Sequence, residues 1–252
     1  MVAQPQTLSP AAVVYPESDG KPMAENTQQF RWIVTIKENL EILFAAQPDI
    51  FIAGDLLWYP VEGNNRLCQA PDAMVVFGRP KGDRGSYRQW QEGGIAPQVV
   101  FEVLSPCNTG TEMTRKVLFY QEYGVEEYYQ YDPDRNELIG SQRMDGYLAE
   151  IPEMAGWVSP RLGIRFELGA DTLNIYTPAG ERFLTPVELA QQRDQERQRA
   201  DQEQQRADQE QQRADQEQQR ADQEQQRADQ EQQRAERLAA RLQELGIEPD
   251  SL

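Results

Sequence analysis

PQVVFEVLSPCNTG, residues 97–110, places an acid, Glu102, between Phe101 and Val103 in one of the most apolar strand-like runs of the chain. Side chains alternate along a strand, so Val99, Phe101 and Val103 share one face while Val100, Glu102 and Leu104 share the other. Glu102 therefore points where a core residue belongs. A carboxylate there is unfavourable by roughly several kcal/mol unless it is paired, protonated or bound to a cation.

The neighbouring segments surround this strand with a sheet and helices. Upstream, QAPDAMVVFG (69–78) reads as a strand opened by Pro71-Asp72, and DIFIAGDLLWYPVEG (49–63) as a strand followed by a turn. Before them, ENTQQFRWIVTIKENLEILFAAQPD (25–49) carries Phe30, Ile33, Val34, Leu40, Leu43 and Phe44 at roughly helical spacing, with Glu38 and Glu41 beside the stripe. Downstream, TEMTRKVLFYQEYG (111–124) predicts a helix capped by Gly124. EEYYQYDPD (126–134) predicts a strand, ELIGSQRMDGYLAEI (137–151) a hairpin, and RLGIRFEL and LNIYTPAGERF two closing strands. This order predicts one mixed α/β domain whose core is a sheet with helices packed on it, spanning residues 25–187. Residues 1–24, rich in Pro, Ser and small side chains, read as a flexible arm.

The tail, residues 188–252, differs in kind. The heptad ADQEQQR runs five times without change from Ala200 to Arg234. With Ala200, Ala207, Ala214, Ala221, Ala228 and Ala235 at a, Leu189, Leu238 and Leu245 fall at d and Leu242 at a. The repeat reads as a solvated helix or weak coiled coil serving as spacer or oligomerisation element, the alternative being a partly disordered linker.

Composition narrows the chemistry. Histidine is absent, which excludes imidazole-based zinc sites, Ser-His-Asp triads and His general bases. The net charge of −17 argues against a protein that coats nucleic acid through basic surface. Cys68 and Cys107 form no CxxC pair, and the opening residues carry no basic region leading into an apolar one. A reduced, cytoplasmic setting without a membrane segment is the expectation.

About thirty residues separate Asp72 from Glu102, enough for a strand, a long loop and a return strand, so the two acids can neighbour each other on one sheet. Lys116, on the following helix one turn beyond Glu112, can reach the same edge. Two carboxylates and a lysine suit a hard divalent cation acting on a phosphodiester, with the lysine orienting or deprotonating the water. The same residues equally allow a structural Glu102–Lys116 pair. Paired carboxylates also serve glycoside hydrolysis, which needs an open sugar cleft and a proton-donor acid.

The ordered set APDAMVVFG, GDRGSY, APQVVFEVLSP, EMTRKVLFYQEYGVEEYYQYDP and SPRLGIRFE resembles the Uma-type family of restriction-endonuclease-like proteins, within the PD-(D/E)XK nuclease superfamily. The resemblance covers roughly residues 25–186. It implies a central mixed sheet flanked by helices and a Mg²⁺-dependent endonuclease, with Mn²⁺ as substitute, acting on DNA. Asp72 then matches the acid of the PD element and Glu102 that of the second motif, both as metal ligands. Leu104 stands where the superfamily has its usual lysine, and Lys116 fills the role from the next helix. Glu112, Glu38 and Glu41 are candidate additional acids, and Gln130 a weaker polar candidate. Arg79, Lys81, Arg84, Tyr87 and Arg88, with Trp90, make the loop RPKGDRGSYRQWQEGG (79–94) a candidate DNA contact; its alternative is a solvated insertion. Cutting both strands would call for a homodimer, and the terminal helix could take a protein partner. A catalytically inactive nuclease-like scaffold is the competing functional reading.

Overall fold

The computed structural model describes residues 13–244. The outer parts of the arm (1–12) and of the tail (245–252, with Leu245) lie outside the described residues. The chain divides into two compact units, one ending at Leu189 and the other beginning at Ala190.

In the first unit, helix α1 (Thr27–Leu43) starts at Asn26, whose side chain accepts from the Gln29 amide at 2.8 Å. That N-cap satisfies one of the free amides of the first turn. Its buried face runs Gln29, Ile33, Ile36, Leu40 and on to Phe44. Phe30, expected on the apolar stripe, is 49 % exposed, because the 3.6-residue period through Ile33 and Leu40 selects Ile36 and rotates Phe30 outward.

Strands β1 (Ile50–Ala53), β2 (Trp58–Tyr59), β3 (Ala73–Phe77), β4 (Tyr87–Arg88) and β5 (Val99–Val103) follow, then α2 (Gly110–Tyr123) and β6 (Glu127–Asp132). The hairpin β7 (Glu137–Met144) and β8 (Tyr147–Glu150) and the pair β9 (Arg165–Leu168) and β10 (Leu173–Tyr176) complete the strands. A six-stranded mixed sheet runs in the order β1, β3, β5, β6, β7, β8; only the β5–β6 neighbours are parallel. Parallel neighbours need a crossover, and α2 supplies it. Its last turn ends at Gly124 in the left-handed conformation (φ 100°), as the sequence indicates. The expected surface loop at 79–94 contains β4, which pairs in parallel with β2, and a short 3₁₀ turn at Gln89–Glu92.

Both faces of the sheet are covered. Val99, Phe101 and Val103 join Ile33, Ile36 and Leu40 of α1 and Phe166 and Ile175 of the β9–β10 pair in one core. Val100, Met74 and Tyr128 face Phe119 and Tyr120 of α2, with Trp58 and Tyr87, in the other. All five residues of β5 are buried for this reason, Glu102 among them. On β7, a methyl group added to Gly140 would collide with the Met154 sulfur and stand 2.9 Å from Ile151 Cδ1. Gly140→Ala is therefore expected to destabilise the domain by about 1–3 kcal/mol in urea unfolding, through overpacking.

From Val13 the stretch read as an arm lies against the domain without regular structure. Tyr15 packs on Tyr59 and Trp90, and the Tyr59 hydroxyl donates to the Pro16 carbonyl at 2.8 Å. The closing helix α3 (Pro186–Glu244) begins two residues earlier than the expected boundary. Thr185 and Glu188 form a reciprocal capping box, with Glu188 N–H donating to Thr185 Oγ1 and Thr185 N–H to Glu188 Oε2. These bonds and Arg182 hold the Glu188 carboxyl down at about 2.

In the second unit the repeat is helix to Glu244 rather than linker. Its Gln side chains donate to the acid four residues on, as Gln204 to Asp208 and Gln218 to Asp222. Such i,i+4 bonds support a helix that has little apolar surface to bury. Leu238, placed at d, is 66 % exposed. No helix among the described residues is long and apolar enough to cross a membrane.

Candidate active site

Asp72 enters the fold at the residue before β3, where its Oδ2 accepts the Val103 amide of β5 at 2.6 Å. That bond draws the carboxylate across to the strand carrying Glu102. Glu102 is 2 % exposed and points to the α2 side of the sheet. Its Oε2 accepts from Lys116 Nζ at 2.7 Å, and its Oε1 from the Tyr120 hydroxyl. Lys116 and Tyr120 lie four residues apart on α2, so one helix face delivers a donor to each oxygen. A cleft of about 110 Å³ opens beside them, lined by Asp19, Asp55, Asp72, Asn108, Glu112 and Lys116 among others.

The charges do not balance within this group. Burial pushes the Asp72 carboxyl well above its usual value, and the charge of Glu102 pushes it further; Lys116 and the Val103 amide offset only part. Asp55 is raised by burial, by Asp19 and by Glu102, again against Lys116. Burial acts to lower the Lys116 ammonium, yet Glu102 and Asp72 outweigh it and hold it above the ordinary lysine value. Lys116 is thus a fixed cation in this arrangement, suited to orienting a water or balancing charge and poorly suited to accepting a proton.

The surplus negative charge is what a divalent cation would relieve. Among the described residues no group of three or more His, Cys, Asp or Glu is gathered at metal-ligating spacing. The donor set is a pair, Asp72 and Glu102. A pair fits Mg²⁺, which keeps several waters and uses one or two carboxylates.

Asp72, Glu102, Lys116 and Glu112 come together as the sequence leads one to expect, with Glu112 in the first turn of α2 capped by Thr109. Gln130 lies in register with Glu102 on the adjacent strand and accepts from the Tyr128 hydroxyl at 2.9 Å. Glu38 and Glu41 do not join the site. Lys37 pairs with both, Lys81 pairs with Glu41 at 3.0 Å, and Glu41 and Lys81 line a separate pocket of about 290 Å³ beside β1. The polar residue that α1 turns toward the site is Gln29, buried and donating to the Val103 carbonyl at 2.8 Å. It escapes a search confined to carboxylates.

The expected DNA-contact loop also needs correction. Tyr87 is fully buried, donating to the Ile95 carbonyl and stacked on Phe51. Arg79 and Arg84 both pair with Glu92, at 2.8 and 2.7 Å, and the Arg84 guanidinium sits 3.9 Å over the Phe51 ring. Arg88 turns to Ser86 and the Tyr15 ring. The cations of this loop are spent on packing it down, since a single acid satisfies two guanidiniums at once.

Asp55, Asp19 and Tyr120 were not legible as site residues in the sequence. Asp55 adopts a left-handed backbone (φ 49°) at the corner after β1, its amide donating to the Pro71 carbonyl at 3.0 Å. The only signal was Gly-Asp at a strand end, a turn pattern.

A solved structure described as "a putative nuclease belonging to DUF820 from Anabaena variabilis ATCC 29413" is similar at 16 % identity and a TM-score of 0.41, over 57 % of this chain and 79 % of that one. No curated protein matches the chain. The model of the Uma2 family, described as "Putative restriction endonuclease", matches residues 17–172, more than half of the sequence. A chain matched from the arm through the sheet to β9, with the PD and EVLSP elements inside the match, belongs to the Uma2 family.

Proposed function

We propose that this chain is a Mg²⁺-dependent endonuclease that hydrolyses phosphodiester bonds in DNA. The observation that carries the reading is the uncompensated pair Asp72 and Glu102, held against one buried lysine at the edge of a cleft. Asp72 and Glu102 would hold the ion. Bound there, Mg²⁺ supplies Lewis acidity, polarising a phosphoryl oxygen and lowering the pKa of a coordinated water. Lys116 orients the attacking water and balances charge as the phosphorane-like transition state forms, remaining protonated throughout. Burial on both faces of the sheet keeps these groups in one geometry and strengthens their fields.

The test is purified protein on supercoiled plasmid and on single-stranded DNA, with Mg²⁺, with Mn²⁺ and with chelator. Nicked or linear product that requires the metal is the expected result; a single copy nicks, whereas linearisation in one event requires two sites and a dimer. A second reading, an inactive nuclease-like module, is favoured by the acid-lined cleft and by the internally paired cations of the 79–94 loop. Absence of cleavage with either metal, together with no thermal stabilisation by Mg²⁺, would establish it in place of the first.

A further inference from the structure

We propose that Tyr120 is the positioning residue of the Glu102 carboxylate, a role that rests on the metal-dependent reading above. Glu102 has one donor on each oxygen: Lys116 Nζ on Oε2 and the Tyr120 hydroxyl on Oε1. A carboxylate turns about its last side-chain bond, which is a broad, weakly restrained rotation. Lys116, largely buried but carried on a long flexible stem, restrains that rotation weakly. Tyr120 restrains it strongly. Its ring is fully buried, parallel to Trp58 at 6.3 Å, edge-on to Phe119 and tilted on Tyr128 at 5.6 Å. Trp58 is itself anchored by its indole N–H to Gln89 Oε1 at 3.0 Å. The aromatic stack therefore fixes the phenol oxygen, and the phenol fixes the carboxylate. Groups that orient a ligating carboxylate in this way commonly govern metal affinity about as much as 10- to 100-fold.

The same domain holds an internal control on the opposite face of the sheet. Tyr129, 1 % exposed, donates to buried Glu127 Oε2 at 2.9 Å, the same tyrosine-to-carboxylate bond away from the candidate site, beside a different pocket that Arg143 and Arg161 also line. Removing either hydroxyl takes a donor from a buried carboxylate, and at Tyr129 it also takes the acceptor of the Trp157 indole N–H, but only the Tyr120 hydroxyl reaches the site.

The experiment is Mn²⁺ titration of the full chain, read by the electron paramagnetic resonance signal of free Mn²⁺, for wild type, Tyr120→Phe and Tyr129→Phe. We expect Tyr120→Phe to bind Mn²⁺ about 10-fold more weakly while Tyr129→Phe matches wild type. In cleavage assays Tyr120→Phe should lower kcat more than it raises KM for DNA, since the hydroxyl touches no substrate. Equal Mn²⁺ affinity in Tyr120→Phe and wild type would overturn the positioning role and leave the metal reading standing. Absence of saturable binding in wild type would overturn the metal reading and this role with it. If Tyr120→Phe does not fold, 3-fluorotyrosine incorporated at position 120 decides: its fluorine resonance should move on Mg²⁺ addition, and an unmoved resonance overturns the proposal.

Discussion

Asp72→Asn is expected to abolish cleavage, by on the order of 10³-fold or more, without lowering the melting temperature in metal-free buffer. The amide oxygen can still accept the Val103 N–H, so the link between the β3 entry and β5 survives. What disappears is a buried negative charge beside Glu102. Because the folded state raises the Asp72 pKa, its contribution to stability is present below the unfolded value near 3.8 and is lost as pH rises through the folded value. Ionising the wild-type side chain therefore opposes folding until a cation neutralises it. Two results follow in differential scanning calorimetry. Mg²⁺ should raise the melting temperature of wild type and not of Asp72→Asn, and metal-free wild type should lose more stability than the variant between acid and neutral pH. A variant that unfolds early, or that still cuts DNA at the wild-type rate, would show Asp72 to be a structural residue.

Lys116→Met should also eliminate cleavage, but with the opposite effect on the fold. Truncating the ammonium leaves Glu102, 2 % exposed, with Tyr120 as its remaining partner. Breaking one side of a buried ion pair costs about 3–5 kcal/mol, most of it the desolvation of the charge left behind. Urea unfolding at neutral pH measures this directly. The Lys116 pKa is raised in the folded state, so its contribution is complete below the unfolded lysine value near 10.5 and fades only as pH rises through the folded value. The deficit of Lys116→Met should accordingly be flat across neutral pH and shrink in strong alkali. Adding Glu102→Gln to Lys116→Met should recover most of the lost stability, because the orphaned charge is then gone. A double variant as unstable as Lys116→Met would mean that the lysine stem, not its charge, is what the fold requires. The pair of results would separate the residues: an acid held at a cost to stability, and a lysine that both the fold and the proposed reaction require.

Much of this architecture was written locally. The alternation in PQVVFEVLSP, the Pro-Asp strand entry, the left-handed Gly124 and the heptad period each follow from interactions within a few residues, and each was correctly read as strand, strand, helix end and helix. The anomaly at Glu102 was likewise legible, since a period of two leaves no doubt about which face it takes. Failure set in where the partner was distant. The 79–94 loop offered four cations and two aromatics, the right composition for a polyanion, but composition cannot say that Glu92 folds back onto both Arg79 and Arg84 or that Tyr87 fills the second core. Glu38 and Glu41 had the right chemistry on the right helix. Their rotation about α1 is set by which residues the sheet buries, and the sheet chose Gln29.

The sequence by itself determined the identities and local settings of the site: an acid ahead of one strand, an acid inside another, and a lysine one helix later, in a chain with no imidazole to compete for the role. Only the tertiary structure decided their relations. The Val103 amide that captures Asp72 and the Tyr120 hydroxyl that holds Glu102 are contacts between residues 31 and 18 apart in sequence, and the Asp55 corner feels the charge of Glu102 from 47 residues before it. Their strength comes from burial, which is a property of two cores closing over one sheet and of no single segment.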